Sequence, residues 1–296
     1  MQKPFLKWAG GKTQILDEII KTIPTNITNY HEIFLGGGSV LLAVLSLQKQ
    51  SELTINDTIY ASDANKGLIT LYQNIQKSHK SLFVHLEHYW TTYNAITGNI
   101  INRKPSTIEE ASTSQESYYY WLRNRFNTME KYTCEYSAIF IFLNKMGFRG
   151  LYREGPNGFN VPFGHYKKTP TMITLDELSS ISVLIKDVVF THQDCTKSLK
   201  EVKPGDYAYM DPPYVPEKST SFVGYTQDGF PLEKHKELFT NILELKSQNI
   251  AFAMSNSCVE LVLKTLASCT IIEIKAKRSI NSKNPGEKTK EVIITN

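Results

Sequence analysis

The stretch Asp206-Tyr207-Ala208-Tyr209-Met210-Asp211-Pro212-Pro213-Tyr214 decides the fold. Residues 207–210 read as a buried strand, being apolar or aromatic without a charge. The strand cannot run on. Pro212 and Pro213 have no N–H to give a ladder, and each biases the residue before it towards extended backbone. The tetrapeptide Asp211–Tyr214 therefore sits at a strand's carboxyl end, where open α/β sheets bind their ligands. Asp211 offers a carboxylate, Pro212 a carbonyl, and Tyr214 a flat ring. Two acceptors held close together can grip an –NH2 group by both hydrogens. An amino group on an aromatic base is a poor nucleophile, because its lone pair is spread into the ring. Acceptors pulling on its hydrogens favour a pyramidal nitrogen with the lone pair aimed at an electrophile. That help is greatest in the transition state. The competing account is a plain proline-rich turn. A chance match to this tetrapeptide somewhere in such a chain is on the order of 10⁻³.

Outward from the motif, an α/β pattern runs through both ends of the chain. Strand candidates are residues 188–191, 207–210, 250–254, 270–275 and 292–295. Near the start, residues 13–23 read as a helix, with Ile15, Leu16, Ile19 and Ile20 at helical spacing. A strand over 30–35, a helix through 40–47 and a strand over 58–62 ending at Asp63 follow. The character then changes. Residues 76–145 are helical in pattern and rich in Tyr, Asn and Ser; residues 146–170 are rich in Gly, Pro, Asn and bases. The latter read as a loop or hairpin and not a core element. The simplest architecture is α/β: one doubly wound, mostly parallel sheet over 1–75 and 171–296, split by an inserted helical subdomain over 76–170.

With 296 residues and 41% hydrophobic content, the chain supports one large domain or one domain carrying an insertion. No apolar stretch of about 18 residues is present and the N-terminus lacks the core of a signal peptide, so a cytoplasmic protein is expected. Cys134, Cys195, Cys258 and Cys269 are scattered, which predicts free thiols and neither zinc nor disulfides. A net charge of +4 permits a nucleic-acid partner without demonstrating one, so local clustering carries that argument.

Phe34-Leu35-Gly36-Gly37-Gly38-Ser39 is a glycine-rich turn between strand and helix. Such turns admit a ligand close to the backbone. The full dinucleotide fingerprint is absent, since Leu41 stands where its third glycine would be. Asp63, ending the next strand, suits ribose hydroxyls; capping the following helix is its alternative. Lys7-Trp8-Ala9-Gly10-Gly11-Lys12-Thr13 is not a P-loop, because Leu6 occupies the position of the first glycine. It reads either as a cover over a charged ligand or as a basic surface turn anchored by Trp8.

These three motifs, in kind and order, resemble the Dam-type (D12 class) DNA adenine-N6 methyltransferases. The resemblance covers almost the whole chain, including residues 144–153, 159–168, Ser255-Asn256 and the tail 277–280. It implies a Rossmann-like S-adenosylmethionine-dependent methyltransferase fold whose insertion recognises the target, and the motif order of the family's α group. It implies S-adenosylmethionine as cofactor, S-adenosylhomocysteine as product and no metal. Trp8, Ala9, Gly10 and Lys12 would contact the cofactor, with Phe34, Gly36, Gly38 and Ser39 around it. Asp63 would take the ribose, Asp194 would lie by the adenine, and Asp211 belongs to this site as well. Asp211, Pro212, Pro213 and Tyr214 would form the catalytic motif.

The same resemblance implies duplex DNA as partner and GATC as site. A base inside a duplex cannot reach such a pocket and must be flipped out. Phe148 would wedge into the gap. The family's Tyr-Asn pair is Phe148-Arg149 here, a departure that alters contacts to the orphaned base. Arg153 suits a guanine's O6 and N7, Lys7 the other outer guanine, and Leu151 a thymine methyl. Asn160, Pro162 and Tyr166 share that loop. Lys167, Lys168, Arg123 and Arg125 suit phosphates. Tyr118-Tyr119-Tyr120-Trp121 reads as helix packing, and residues 219–229 as a lid bringing Tyr225 to the flipped base. A separate restriction endonuclease is a further expected partner. The same chemistry on another GAT-containing site, on RNA or on protein is the alternative enzyme reading, and a binding module without activity the alternative of another class.

Overall fold

The computed structural model describes residues 1–216, 229–277 and 288–296. The expected lid apart from Gly229, its Tyr225, and tail residues 278–280 lie outside the described residues. The chain forms two compact units: Met1–Lys3 with Gly10–Asn65 and Asp187–Asn296, and Pro4–Ala9 with Lys66–Lys186.

The first unit is built on a sheet of seven strands among the described residues. In chain order these are β1 Tyr30–Glu32, β2 Ile59–Asp63, β3 Val188–His192, β4 Tyr207–Met210, β5 Ala251–Ser257, β6 Thr270–Lys277 and β7 Lys288–Thr295. They lie side by side as β6-β7-β5-β4-β1-β2-β3. The pairs from β3 through β5 are parallel, and β7 runs antiparallel to both β5 and β6. This is the expected α/β architecture with a mostly parallel, Rossmann-like sheet. The chain winds outward from β1 in one direction and from β4 in the other, so the switch point lies between those two strands.

Tyr207, Ala208, Tyr209 and Met210 of β4 are all buried, which is why the strand shows no polar alternation. Ala208 and Met210 pack with Phe252 and Met254 of β5, Val292 and Ile294 of β7, and Leu238, Phe239 and Ile242 of the Leu232–Ser247 helix. The strand read over 30–35 is shorter than expected. Ile33 N–H still bonds Tyr209 C=O at 3.0 Å, but Leu35 N–H turns to Ser62 C=O at 2.9 Å. The helix read over 13–23 is broken at Ile15, whose φ −120° and ψ 12° separate a 3₁₀ turn, Lys12–Gln14, from the Leu16–Ile20 helix.

The second unit is helical. Its main helices are Lys66–Ala95, kinked at Ser78, then Gln115–Thr128, Cys134–Met146 and Leu175–Leu184. Ser114, Thr133 and Thr174 each accept an N–H from three residues on, the N-cap bond that fixes where such helices start. Tyr118, Tyr119 and Tyr120 are buried as helix packing. The units change over at Asn65–Lys66 and Lys186–Asp187, whereas the sequence reading placed the switch at 75/76 and 170/171. The Lys66–Ala95 segment runs past residue 76 before it breaks at Ser78, and residue 76 bonds forward to the Leu175–Leu184 helix and its end: Gln76 Nε2 donates to Ile185 C=O at 2.8 Å, and Ser182 Oγ to Gln76 C=O at 3.2 Å. Residues 146–170 form a 3₁₀ turn, Phe148–Gly150, and a hairpin pairing Glu154–Gly155 with Gly158–Phe159. The hairpin is as expected, but the segment is not wholly outside the core, since it buries Tyr152, Phe159 and Val161. Among the described residues no helix is long and apolar enough to cross a membrane.

Candidate active site

Asp211 follows β4 directly, at the switch point, and its surroundings determine what it binds. Its Oδ1 lies 2.7 Å from Lys12 Nζ, with the lysine side chain 5% and the aspartate 20% exposed. The same ammonium donates to Gly10 C=O and stands 4.8 Å from the centre of the Tyr214 ring. Lys12 is set there by its own backbone, whose N–H bonds Ser39 Oγ at 3.2 Å. Burial pushes the Asp211 carboxyl up to about 6; Lys12 opposes the shift and the Glu291 charge adds to it. The Tyr214 hydroxyl donates to Glu291 Oε2 at 3.0 Å. After the prolines, Val215 N–H bonds Asn256 Oδ1 at 3.1 Å and Ser257 Oγ donates to Val215 C=O at 2.6 Å. The motif thus presents a carboxylate and an aromatic face to one nitrogen, the arrangement that grips a nitrogen carrying hydrogens.

Beside it, β1 feeds the glycine turn. Gly36 and Gly38 take φ 49° and 67°, which side chains resist, and the Ser39–Lys49 helix begins at once. Asp63, at the end of β2, holds this turn. Its Oδ2 accepts Gly36 N–H at 2.9 Å and its Oδ1 accepts Asn65 N–H at 2.8 Å. Burial raises its pKa, and those two bonds oppose the rise. A carboxylate has about four acceptor sites, so room remains for ribose hydroxyls. Glu32, the last residue of β1, accepts the Tyr30 hydroxyl at 2.7 Å and is pushed up to about 8 by burial. Asp194 caps the Cys195–Lys200 helix through Thr196 N–H at 2.9 Å and pairs with Lys234 at 3.4 Å. Phe34 packs edge-on against Phe230. A left-handed glycine turn at the switch point, with Asp63 at the next strand end, fits an adenosine-bearing cofactor.

The remaining residues read from the sequence belong to the second unit. Trp8 stacks on Tyr152 and Phe140, at 5.7 and 6.5 Å between ring centres, which gives it an anchoring place in that unit's aromatic core. Ala9 lies in the same short segment. Several of the DNA candidates contact one another. Lys7 is exposed, with its ammonium 4.5 Å from the centre of the Tyr166 ring. Phe148 is 44% exposed, and its N–H bonds Pro162 C=O at 2.9 Å. Arg149 is held at φ 57° beside Phe148, its guanidinium 5.2 Å from that ring. Arg153 Nε donates to Asn160 Oδ1 at 2.6 Å. Leu151 is half-buried, and Lys167 and Lys168 are exposed. Arg123 bonds Val161 C=O at 3.1 Å, and Arg125 is paired with Glu135 at 2.6 Å.

Two residues that hold these sites escaped the sequence reading of roles. Asn144 clasps the Lys7 backbone by its N–H at 2.9 Å and its C=O at 2.7 Å, and also bonds Gly150 C=O at 3.2 Å. Glu291 lies one residue before the strand read over 292–295, and no local signal sets it apart from the neighbouring charged residues.

Comparison with known proteins agrees with this geometry. The Type II methyltransferase M.MjaIII of Methanocaldococcus jannaschii is 33% identical over 98% of this chain and 96% of its own. M1.LlaDCHI of Lactococcus lactis subsp. cremoris, also a Type II methyltransferase, is 30% identical over 99% and 95%. The DNA adenine methylase of Haemophilus influenzae is 32% identical over 98% and 92%. Residues 8–280 match a family that spans the glycine turn, the helical unit and the Asp211–Tyr214 motif together, and the chain belongs to that family, the D12 class N6 adenine-specific DNA methyltransferases.

Proposed function

We propose that this enzyme methylates the adenine of GATC in duplex DNA, taking the base out of the helix to do so. The observation that carries the reading is the Lys12 ammonium, held at once by Asp211 and over the Tyr214 ring. An adenine stacked on Tyr214 would place its amino nitrogen in similar surroundings. Asp211 and the Pro212 carbonyl would take the two amino hydrogens, leaving the lone pair free. Bound S-adenosylmethionine would supply an electrophilic methyl on a sulfonium. Gly36, Gly38 and Ser39 would border it, Asp63 would take the ribose, Asp194 would lie by the adenine, and Gly10, Lys12 and Phe34 would complete that side; the family resemblance assigns Trp8 and Ala9 to the cofactor as well. Alignment of the two reactants supplies much of the acceleration.

Residues 76–170 serve in this reading as the target-recognition subdomain, and the order of motifs is that of the α group. Phe148 wedges into the gap, Arg153 and Lys7 read the outer guanines, and Leu151 presses on a thymine methyl. Asn160, Pro162 and Tyr166 shape that loop, while Arg123, Lys167 and Lys168 hold phosphates. The Type II names of two relatives support a separate restriction endonuclease acting at the same site.

The test is transfer of labelled methyl to duplex oligonucleotides carrying GATC intact or changed one base at a time, with Asp211→Ala as control. Label on adenine with GATC only, lost in the control, is the expected result. Label on another site overturns the recognition argument and leaves the chemistry standing. For the reader itself, Arg153→Ala is expected to cost about 1–3 kcal/mol of discrimination at one outer guanine. A uniform loss across all sequences would instead make Arg153 a phosphate contact.

A further inference from the structure

The Asp211–Tyr214 motif is followed by backbone held through side chains of the neighbouring strands. Pro212 and Pro213 give no N–H bonds. What fixes the segment comes from β5 and β7. Asn256 and Ser257 of β5 pin the main chain of Val215 from both sides, at 3.1 and 2.6 Å. The ring one residue earlier is held differently. Glu291 of β7 pairs across the sheet with Ser257 and, on its other side, with Ile274. It is half-buried and directly precedes the run Val292, Ile293, Ile294, each fully buried. Its Oε2 accepts the Tyr214 hydroxyl at 3.0 Å.

We propose that Glu291 is a positioning residue for base capture, fixing through the Tyr214 hydroxyl the plane in which that ring stacks on the flipped adenine. The inference rests on the reading of Tyr214 as the stacking residue. A tyrosine ring turns about two side-chain torsions, and the contact from the Lys12 ammonium constrains only its face. The bond to Glu291 ties down the far end of the ring, the point with most leverage on its tilt. Because the acceptor is a carboxylate, the bond is of the stronger, charge-assisted kind. The same charge disfavours ionisation of Asp211, so the two halves of the motif share one neighbour.

The test is a double-mutant cycle on the full chain with Glu291→Leu and Tyr214→Phe. It is read by fluorescence of 2-aminopurine placed at the target adenine of a GATC duplex, with S-adenosylhomocysteine present, and by kcat and KM for methyl transfer. Each single variant is expected to weaken the flipped-base signal about tenfold, as the loss of one charge-assisted hydrogen bond does. The double variant should be no worse than either single, and Glu291→Gln, which keeps an acceptor oxygen, should recover most of the signal. Tyr214→Phe breaks the same bond without touching β7, so Tyr214→Phe and Glu291→Gln still decide the matter if the Glu291→Leu chain fails to fold. Two results would overturn the proposal: additive losses, or a full signal in Tyr214→Phe and Glu291→Gln while Tyr214→Ala abolishes flipping. If Tyr214→Ala itself flips and methylates normally, the stacking role of Tyr214 is what fails.

Discussion

Lys12 and Asp211 form a pair whose energetics can be read in a pH profile. In the proposed reaction Asp211 has to be ionised to accept an amino hydrogen on either oxygen, and burial has raised its pKa to about 6. The protonated form dominates below that value, so kcat/KM is expected to fall as pH drops through about 6. Lys12 favours the ionised form. Lys12→Met should therefore move the acid limb to higher pH, whatever it does to the plateau. Measuring kcat/KM from about pH 5 to 8 in both proteins checks the sign; a limb moving to lower pH would refute the pairing. At this scale the sequence announced Asp211, Tyr214 and the glycine turn, because their backbone and chemical constraints lie within a few residues. It did not announce Glu291, whose partner is 77 residues away, or Asn144, 137 residues from Lys7. Nothing local distinguishes those side chains from ordinary polar ones.

Among the elements, the 3₁₀ turn Phe148–Gly150 carries the sharpest constraint. Gly150 has φ 65°, and a Cβ there would land inside the Lys7 side chain. Gly150→Ala is expected to destabilise the protein by about 1–3 kcal/mol, seen as a lower urea midpoint. DNA affinity should fall as well, because Lys7 is displaced, while S-adenosylmethionine affinity stays near that of the parent. Calorimetric titration with cofactor and with duplex separates the two effects, and equal losses in both would reject the local account. Element types were legible from hydrophobic periodicity, and their ends less so. The β1 strand stops at Glu32 because Leu35 finds its partner in Ser62, and the first helix breaks at Ile15. Both depend on partners that a window of sequence does not contain.

For the whole molecule, charge is the quantity to test. The net charge is only +4, so affinity for DNA has to come from a local surface. Lys167 and Lys168, both exposed, are assigned to phosphates. Each one replaced by alanine should reduce the slope of log affinity against log salt by about 0.9, equally on GATC and on unrelated duplex. Fluorescence anisotropy across a salt series measures this, and an unchanged slope removes that lysine from the interface. The amino-acid sequence by itself determined the α/β class, the mostly parallel sheet, a helical stretch between its two halves, the glycine turn and the place of Asp211–Tyr214 at the end of a strand. Side-chain periodicity, the missing N–H of proline and the freedom of glycine act over a few residues. Only the tertiary structure decided that residues 66–75 and 171–186 belong with the helical unit, that the Lys12 ammonium rests on Asp211, that Asn144 clasps Lys7 and that Glu291 holds Tyr214. Those are pairings between residues distant in the chain, and polar chemistry names many possible partners where packing selects one.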